Sequence, residues 1–194
     1  MHLNIALIMP AAGMSTRHPP NKLLIPVQGQ AAIIGTLSSF QAFEWDSYVI
    51  LGYMGEEIRR TLESAVLTEI IYEYNVHFSQ GLSGSIRTGI QAAGPTYDYW
   101  CLCNADKPFI QEDTIAFLVE LLQRERPTIL APMHHGIPGH PMFFSSQLMN
   151  DFLELEGDQS AGTLLDRFPR RVLRTQVSDE GIVLDMDRYL DRRI

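Results

Sequence analysis

The sequence that decides the fold reads Leu3-Asn-Ile-Ala-Leu-Ile-Met9 and then Pro10-Ala-Ala-Gly-Met-Ser-Thr-Arg17, with Lys22 five residues further on. The apolar run predicts a buried parallel strand. The loop after it is built from small residues, which let backbone N–H groups approach an anion, and its cations neutralise charge. It has neither the spacing of a Walker P-loop nor the glycines of a dinucleotide fingerprint. The sequence therefore predicts a different kind of phosphate site.

Lysine is rare in this chain and its placement is informative. Only two of the 15 basic residues are lysines, Lys22 and Lys107. Both fall in loops that follow predicted strands and that we expect to form the site. Chance placement in an arginine-rich chain is the alternative interpretation.

The bulk composition bounds the class of protein. A length of 194 residues fits one domain over residues 1–194. A net charge of −8 argues against nucleic acid or a membrane surface as partner. The sequence shows neither a transmembrane run nor a signal peptide, so the expected location is the cytoplasm. Cys101 and Cys103 alternate in one strand-like run, which favours core packing over a disulfide or a zinc site.

Strand-like and helix-like segments alternate along the chain as far as Pro132. The predicted strands are 3–9, 47–52, 69–74, 97–104 and 128–132, and the predicted helices are 31–43, 55–64, 83–93 and 111–126. This order predicts a three-layer α/β/α fold with a mostly parallel, Rossmann-like sheet. Beyond it we expect a loop over 133–144 that ends in a short strand, helices over 145–155 and 160–168, and a small C-terminal hairpin from 170–177 and 181–186.

Polar loops follow three of the predicted strands, at residues 11–22, 75–85 and 104–108. In open α/β sheets, ligands bind beyond the carboxyl ends of the strands. These loops are far apart in the sequence but share that edge. Their convergence predicts an active site there.

Asp106 ends an apolar strand and precedes Lys107-Pro108. A carboxylate in this place is suited to Mg²⁺, which prefers oxygen ligands and keeps phosphates in its shell. A helix N-cap or an Asx-turn before the proline is the alternative. The neighbouring anion loop favours the metal.

The segment Gln80-Gly-Leu-Ser-Gly-Ser-Ile-Arg87 lies between a predicted strand and a predicted helix. Ser83 or Ser85 is placed to cap that helix. The free N–H groups and serine hydroxyls are equally placed to hold a ribose or a base edge. Arg87 falls in the first turn, where a cation opposes the helix dipole, which favours a ligand or an acidic partner.

The last third of the chain adds weaker candidates. His140 is placed to orient a substrate or to lie in an exposed loop, and Asp158 to touch metal or substrate or to cap a helix. Asp185 and Asp187 alternate along a predicted strand, for which a solvated face is the default expectation.

Together these motifs resemble those of the MobA-like nucleotidyltransferases over nearly the whole chain. Residues 11–22 match the A-A-G-x-S-x-R-x4-K loop of that family. Residues 80–89 are similar to the second motif of its molybdenum cofactor cytidylyltransferase branch, and residues 104–108 to the D-x-P segment. Residues 139–141, 157–158 and 185–187 also fit. The chain departs from the pattern at Lys107, where Met or Gln is common, and at Ala161-Gly162-Thr163, which lacks an arginine.

The resemblance implies Mg²⁺-dependent transfer of CMP from CTP to the phosphate of molybdopterin or molybdenum cofactor, with release of pyrophosphate. The implied catalytic residues are Arg17, Lys22 and Asp106. Asp106 would hold the metal, with Asp158, Asp185 or Asp187 as a second ligand. The implied nucleotide-binding residues are Ala11, Ala12, Gly13, Ser15, Lys22, Gln80, Gly81, Ser83, Ser85 and Arg87. The implied acceptor-binding residues are Lys107, at the edge of the cleft, His140 and Asp158.

Two rival hypotheses stay open at this point. The first is the same chemistry on another phosphorylated acceptor, because the segment after residue 157 is altered. The second is a non-catalytic, nucleotide-binding partner or chaperone of a molybdoenzyme. In that protein Lys107 would pair with Asp106 and replace the metal.

Overall fold

The strands follow the apolar runs of the sequence closely. In a computed structural model, which describes residues 3–192, they are β1 (Ile5–Pro10), β2 (Pro26–Val27), β3 (Gln30–Ala31), β4 (Asp46–Leu51), β5 (Ile70–Tyr74), β6 (Tyr99–Leu102), β7 (Ile129–His134), β8 (Ile137–Pro138), β9 (Met142–Ser145) and β10 (Val172–Gln176). The α-helices are α1 (Ala32–Ser38), α2 (Gly55–Glu63), α3 (Leu82–Ala93), α4 (Glu112–Glu125), α5 (Met149–Leu153), α6 (Gly162–Arg167) and α7 (Met186–Asp191). Single 3-10 turns cover 22–24, 78–80, 94–96, 146–148, 169–171 and 180–182.

The central sheet has the strand order β10-β7-β9-β6-β1-β4-β5, with β8 paired to β7. β1 pairs in parallel with β4 and β6, β4 with β5, and β10 with β7. β9 is antiparallel to both β6 and β7. The long parallel strands therefore end at one common edge. This confirms the mostly parallel, Rossmann-like sheet.

Both faces of the sheet are covered, which confirms the three-layer α/β/α architecture. Along β1, Leu7 and Met9 face a core that includes residues of α1, α2 and α4, whereas Ala6 and Ile8 face a core that includes residues of α3, α5 and α6. Every residue of β1 is buried. A strand covered on both faces needs apolar residues at every position, which explains the continuous run at the start of the chain.

Helix α3 packs unusually close to the sheet at Gly89. A Cβ atom there would lie 2.5 Å from Ile8 Cγ2 and 3.1 Å from Ile50 Cδ1. Glycine is therefore the residue that lets α3 rest directly on β1 and β4. This contact fixes where the first turn of α3 meets the cleft described below.

The predicted C-terminal hairpin is wrong. Its first strand exists as β10 but pairs in parallel with β7, and residues 181–186 form no strand. Asp179 accepts a hydrogen bond from the N–H of Gly181 at 2.8 Å, and Asp185 accepts one from the N–H of Arg188 at 2.9 Å. Aspartates that cap helical turns in this way compete with an extended backbone, and α7 forms instead.

Helix α1 is shorter than predicted, because it ends at Ser38 rather than at Phe43. The Ser39 hydroxyl donates to the Gly35 carbonyl at 3.4 Å and to the Ile110 carbonyl at 2.9 Å. The bond to Ile110 ties the end of α1 to the segment before α4. Within residues 3–192, every helix falls short of the length and apolarity that crossing a bilayer requires.

Candidate active site

A cleft of about 500 Å³ opens at the carboxyl ends of the parallel strands. It is lined by residues 10–17, 22–23, 78–82, 85, 104–106, 158 and 187. The three polar loops that the sequence placed at this edge thus meet around one cavity. The C-terminal segment contributes Asp187, which the hairpin prediction had put on a solvated face.

The first loop continues the sheet before it turns into the cleft. The N–H of Ala11 donates to the Ile50 carbonyl at 2.8 Å, and the N–H of Tyr53 donates to the Ala12 carbonyl at 3.2 Å. Ala11 and Ala12 are buried, whereas Gly13 is exposed. All three residues line the cleft, and their small size is what an anion-binding loop requires.

Ser15 closes this loop rather than standing free. Its hydroxyl donates to Asn21 Oδ1 at 3.1 Å and accepts from the N–H of Lys22 at 3.2 Å. Asn21 Oδ1 also accepts from the N–H of Leu23 at 3.0 Å, which starts the 3-10 turn that carries Lys22. These bonds fix the backbone from which the Lys22 side chain reaches into the cleft.

The Lys22 ammonium bridges two carboxylates. Lys22 Nζ lies 2.6 Å from Asp106 Oδ2 and 2.7 Å from Asp187 Oδ2. Arg17 also pairs with Asp187, from the solvent side, with 69% of its side chain exposed. Burial lowers the pKa of Lys22, but its ion pairs and hydrogen bonds with Asp106 and Asp187 outweigh burial and raise that pKa above its ordinary value. The lysine is therefore firmly cationic.

One carboxylate oxygen of Asp106 is available to accept a hydrogen bond or to bind a cation. Its Oδ1 atom is buried and, within the described part of the chain, accepts no hydrogen bond. A buried carboxylate oxygen that has no hydrogen-bond partner in a polar cleft indicates a place for a cation or a ligand. Residues 3–192 contain no group of three or more His, Cys, Asp or Glu side chains that could hold a metal. Two carboxylates that leave the remaining positions to water and phosphates are a usual arrangement for Mg²⁺.

The second loop meets the segment around Asp158 at a very close contact. Gly81 has a φ of 115°, and a Cβ there would overlap the backbone of Gly157. The N–H of Ser83 donates to the Gly157 carbonyl at 3.1 Å. This contact brings Gln80, Gly81 and the exposed Asp158 to the same part of the cleft wall.

The remaining candidates of this loop divide into two groups. Ser85 is part of the cleft lining, and its Oγ accepts from Asn75 Nδ2 at 3.0 Å. Ser83 is buried and Arg87 lies further along α3, and neither is part of the lining.

Lys107 does not lie at the cleft edge, where we had expected it. It is only 6% exposed and is not part of the lining; its Nζ lies 3.9 Å from Asp185 Oδ2. His140 is also outside the lining, and its Nδ1 lies 3.2 Å from the Leu102 carbonyl. Burial and the nearby charge of Lys107 lower the pKa of His140 to about 4, so this histidine is neutral at pH 7.

Phe78 lines the cleft and was not among the candidates. A Cβ at Gly52 would lie 2.7 Å from Phe78 Cβ and 2.6 Å from Ala12 Cβ, so the loops after β1, β4 and β5 touch here. The signal available in the sequence was its place in the loop that follows β5. A single aromatic residue at that place is a less specific signal than the polar motif that begins two residues later.

A mostly parallel α/β sheet with a cationic loop and paired carboxylates at its carboxyl edge is an arrangement suited to phosphorylated ligands. Residues 7–176 match the model of the MobA-like NTP transferase domain, and the chain belongs to that family of nucleotidyltransferases.

Known proteins agree with this assignment. The molybdenum cofactor cytidylyltransferase of Escherichia coli K12 is 30% identical over 188 residues, which cover 94% of this chain and 91% of that protein. Rv0371c from Mycobacterium tuberculosis H37Rv superposes with a TM-score of 0.82 at 21% identity, covering 100% of this chain and 97% of that one. A nucleotidyl transferase from Methanothermobacter has a TM-score of 0.78 at 22% identity, with 97% and 95% covered. The two structures support the fold.

Proposed function

We propose that this protein transfers CMP from CTP to the phosphate of molybdopterin or molybdenum cofactor and releases pyrophosphate. The observation that carries the proposal is the cleft in which Lys22 bridges Asp106 and Asp187 beside the small-residue loop. The choice of CTP and of a molybdopterin acceptor is supported by the 30% identity with the Escherichia coli enzyme.

The reaction asks little covalent chemistry of the protein. An oxygen of the acceptor phosphate attacks the α-phosphorus of CTP, and the bond from that phosphorus to the oxygen bridging to the β-phosphate breaks. The electron pair leaves with pyrophosphate. Positioning and neutralisation of charge therefore dominate the catalysis.

The residues of the first loop would take the phosphates. Ala11, Ala12 and Gly13 line the cleft, and Lys22 and Arg17 add positive charge to it. When the triphosphate arrives, it offers the Lys22 ammonium new anionic partners. Gln80, Gly81 and Ser85 on the opposite wall are placed to hold the ribose or the base. Ser83 and Arg87 would support that wall from outside the cleft.

Asp106 and Asp187 would hold a Mg²⁺ ion. The orphaned Asp106 Oδ1 and the close approach of both carboxylates to one cationic group fit a divalent cation that keeps phosphate oxygens in its shell. When bound, Mg²⁺ would offset the negative charge of the triphosphate. Asp185 caps α7, so it is not the second ligand in this assignment.

A second candidate function differs only in the acceptor. Ala161-Gly162-Thr163 lacks the arginine typical of this place, and neither Lys107 nor His140 lines the cleft. Asp158 alone of the three predicted acceptor residues does so. Another phosphorylated acceptor is therefore the second candidate.

The test is turnover of the purified protein with each of the four NTPs and purified molybdopterin, detected as pyrophosphate and by the mass of the product. We expect kcat/KM to favour CTP over GTP, because a site that bonds one base edge leaves polar groups unpaired with the wrong base. Equal values for both nucleotides would refute the CTP assignment. Turnover only with a different phosphomonoester would refute the molybdopterin acceptor. Mg²⁺-independent CTP binding without turnover would identify a non-catalytic, nucleotide-binding partner.

A further inference from the structure

The short segment that carries Asp106 contacts the short segment that carries Asp187. Asp106 is followed by Lys107, and Asp187 is preceded at a distance of two residues by Asp185. The N–H of Met186 donates to the Asp106 carbonyl at 3.0 Å. Lys107 Nζ lies 3.9 Å from Asp185 Oδ2. The ion pair of Lys107 and Asp185 therefore connects the segment that carries Asp106 with the segment that carries Asp187.

The turn that carries Asp106 is also held from the side of α1. The Thr36 hydroxyl donates to the Ala105 carbonyl at 2.8 Å and accepts from the N–H of Lys107 at 3.1 Å. This turn is therefore fixed to the body of the protein. The segment that carries Asp187 has to be positioned against it.

Burial makes the Lys107–Asp185 pair unusual. The Lys107 side chain is 7% exposed and that of Asp185 is 28% exposed. Removing charges from water is costly, and a neutral pair of similar volume is often as stable or more stable. Stability alone therefore does not explain a lysine at this position.

We propose that Lys107 is a positioning residue that, through Asp185, sets the placement of Asp187 relative to Asp106 and thereby the affinity of the cleft for a divalent cation. The inference rests on the proposed function, in which these two carboxylates hold the metal. It assigns Lys107 neither to the acceptor nor to the place of the metal.

The direction in which cation affinity changes when Lys107 is removed distinguishes positioning from a purely electrostatic effect. If Lys107 acted only through space, its removal would eliminate a positive charge near the site and tighten cation binding. If it positions Asp187, its removal weakens cation binding. The substitution Lys107→Met therefore gives opposite results under the two mechanisms.

The experiment measures Mn²⁺ affinity from the electron paramagnetic resonance signal of the free ion, with the full-length protein free of nucleotide. The variants are Lys107→Met, Asp185→Asn and the double variant. Asn at position 185 keeps an oxygen that can cap α7, so this change removes the charge and little else. We expect each single variant to bind Mn²⁺ about 10–100-fold more weakly. We also expect kcat to fall while the KM for CTP stays nearly unchanged.

The double variant distinguishes positioning from stability. Each single variant breaks the ion pair but keeps one of its two charges in the protein, which should lower Tm. The double variant has neither charge, so its Tm should return to the wild-type value or above. Its Mn²⁺ affinity and kcat should stay low, because the ion pair between the two segments is still missing.

The matched control is Glu180→Gln, which breaks the exposed pair with Arg192 in the same part of the chain. That pair is 2.7 Å long with side chains 53% and 60% exposed, and its loss should leave Mn²⁺ affinity unchanged. Tighter or unchanged Mn²⁺ binding in Lys107→Met would overturn the inference, and so would wild-type affinity in the double variant. Unchanged affinity in Asp106→Asn would overturn the proposed metal site as well, whereas a loss there with no loss in Lys107→Met would overturn the inference alone.

Discussion

The two lysines of this chain, Lys22 and Lys107, occupy contrasting surroundings. Lys22 lines the cleft, with 19% of its side chain exposed, and contacts Asp106 and Asp187 directly. Lys107 follows Asp106 in the sequence but is buried outside the lining, at 3.9 Å from Asp185. The same residue type thus meets carboxylates in both places, and only one of the two can reach a ligand.

The difference teaches that access, and not charge alone, separates a group that touches substrate from one that holds the site together. Burial is the main cause that lowers the pKa of Lys107, and the carboxylates of Asp106 and Asp185 offset it only in part. For Lys22 the two carboxylates outweigh burial and the pKa is raised. An ammonium near the surface is free to exchange partners, whereas a buried one is kept with the partners it has.

Removing the charge of Asp106, which contacts Lys22 and precedes Lys107 in the sequence, should have the largest effect. Asp106→Asn should lower turnover by about 10³-fold, because a metal supplies several kcal/mol of transition-state stabilisation. Pyrophosphate release at varied Mg²⁺ measures this. The control is Asp113→Asn in the first turn of α4. A variant that keeps its activity and its metal requirement would reduce Asp106 to a structural residue.

The next largest effect should come from Lys22→Met, which keeps most of the stem and removes the charge. Losing one preorganised charge contact lowers the rate by about 10²–10³-fold, so kcat/KM for CTP should fall by that factor. Arg59→Met, which breaks an exposed pair with Glu63, is the matched control. Wild-type turnover in Lys22→Met would remove this lysine from the chemistry.

Without nucleotide, the same substitution should have the opposite sign from Lys107→Met. Lys22 lies between the carboxylates that would bind the cation, so its loss should strengthen Mn²⁺ binding by roughly tenfold. Titration of the nucleotide-free protein, followed by the resonance of free Mn²⁺, gives the sign directly. Weaker binding in Lys22→Met would show that the two lysines act alike and would break the comparison.

His140 extends the comparison to the acid side of the pH scale. Its pKa is lowered to about 4, while the unfolded chain takes up the proton near the ordinary value of 6.5. The unfolded state therefore binds more protons between these values, and the free energy of unfolding should fall by about 3 kcal/mol as the pH drops from 6.5 to 4. Urea unfolding of His140→Gln should lack this loss. The exposed His135→Gln is the control, and an equally steep acid limb in both variants would contradict the assignment.

At alkaline pH the two lysines should contribute with opposite signs, although the effects are smaller. The raised pKa of Lys22 gives stability that is complete below 10.5 and is lost as the pH rises through the folded-state value. The lowered pKa of Lys107 means that the unfolded chain holds its proton longer, so its contribution becomes more favourable as the pH approaches 10.5.

Unfolding of Lys22→Met and Lys107→Met in EDTA, from about pH 8 to about pH 11, measures these contributions as differences from the wild type. The stability advantage of the wild type over Lys22→Met should shrink with pH. The corresponding difference for Lys107→Met should shift in favour of the wild type. Parallel curves for the two variants would contradict the assigned pKa directions.

Much of the fold was predictable because the signals were local and mutually consistent. β1 is apolar at every position because both of its faces are covered, and α4 is framed by acidic residues at its start and Arg124 near its end. Parallel strands carry their following loops to one edge, which is why residues 11–22 and 104–106 could be expected to meet.

The remaining features of the fold and the site depend on individual contacts, which the pattern of apolar and polar residues does not encode. Asp179 and Asp185 decide between strand and helix through single capping bonds, and alternation in the sequence gave no sign of them. The direction of Lys107 depended on how the chain turns after β6, and Pro108 restricts only the backbone. Ser83 and Ser85 are two residues apart on a helix, so only the rotation of α3 decides which one faces the cleft.

The contact at Gly89 determines how the cleft can respond to ligands of different size. A helix that already touches Ile8 and Ile50 cannot retreat toward the sheet, and the wall that carries Gln80, Gly81 and Ser85 is anchored to it. Under the proposed function, room for a bulkier nucleobase would therefore come from residues 13–17, which are mostly exposed. The wall carried by α3 is thus fixed against the sheet. Substitutions that change the proposed nucleotide preference should therefore concentrate in residues 13–17.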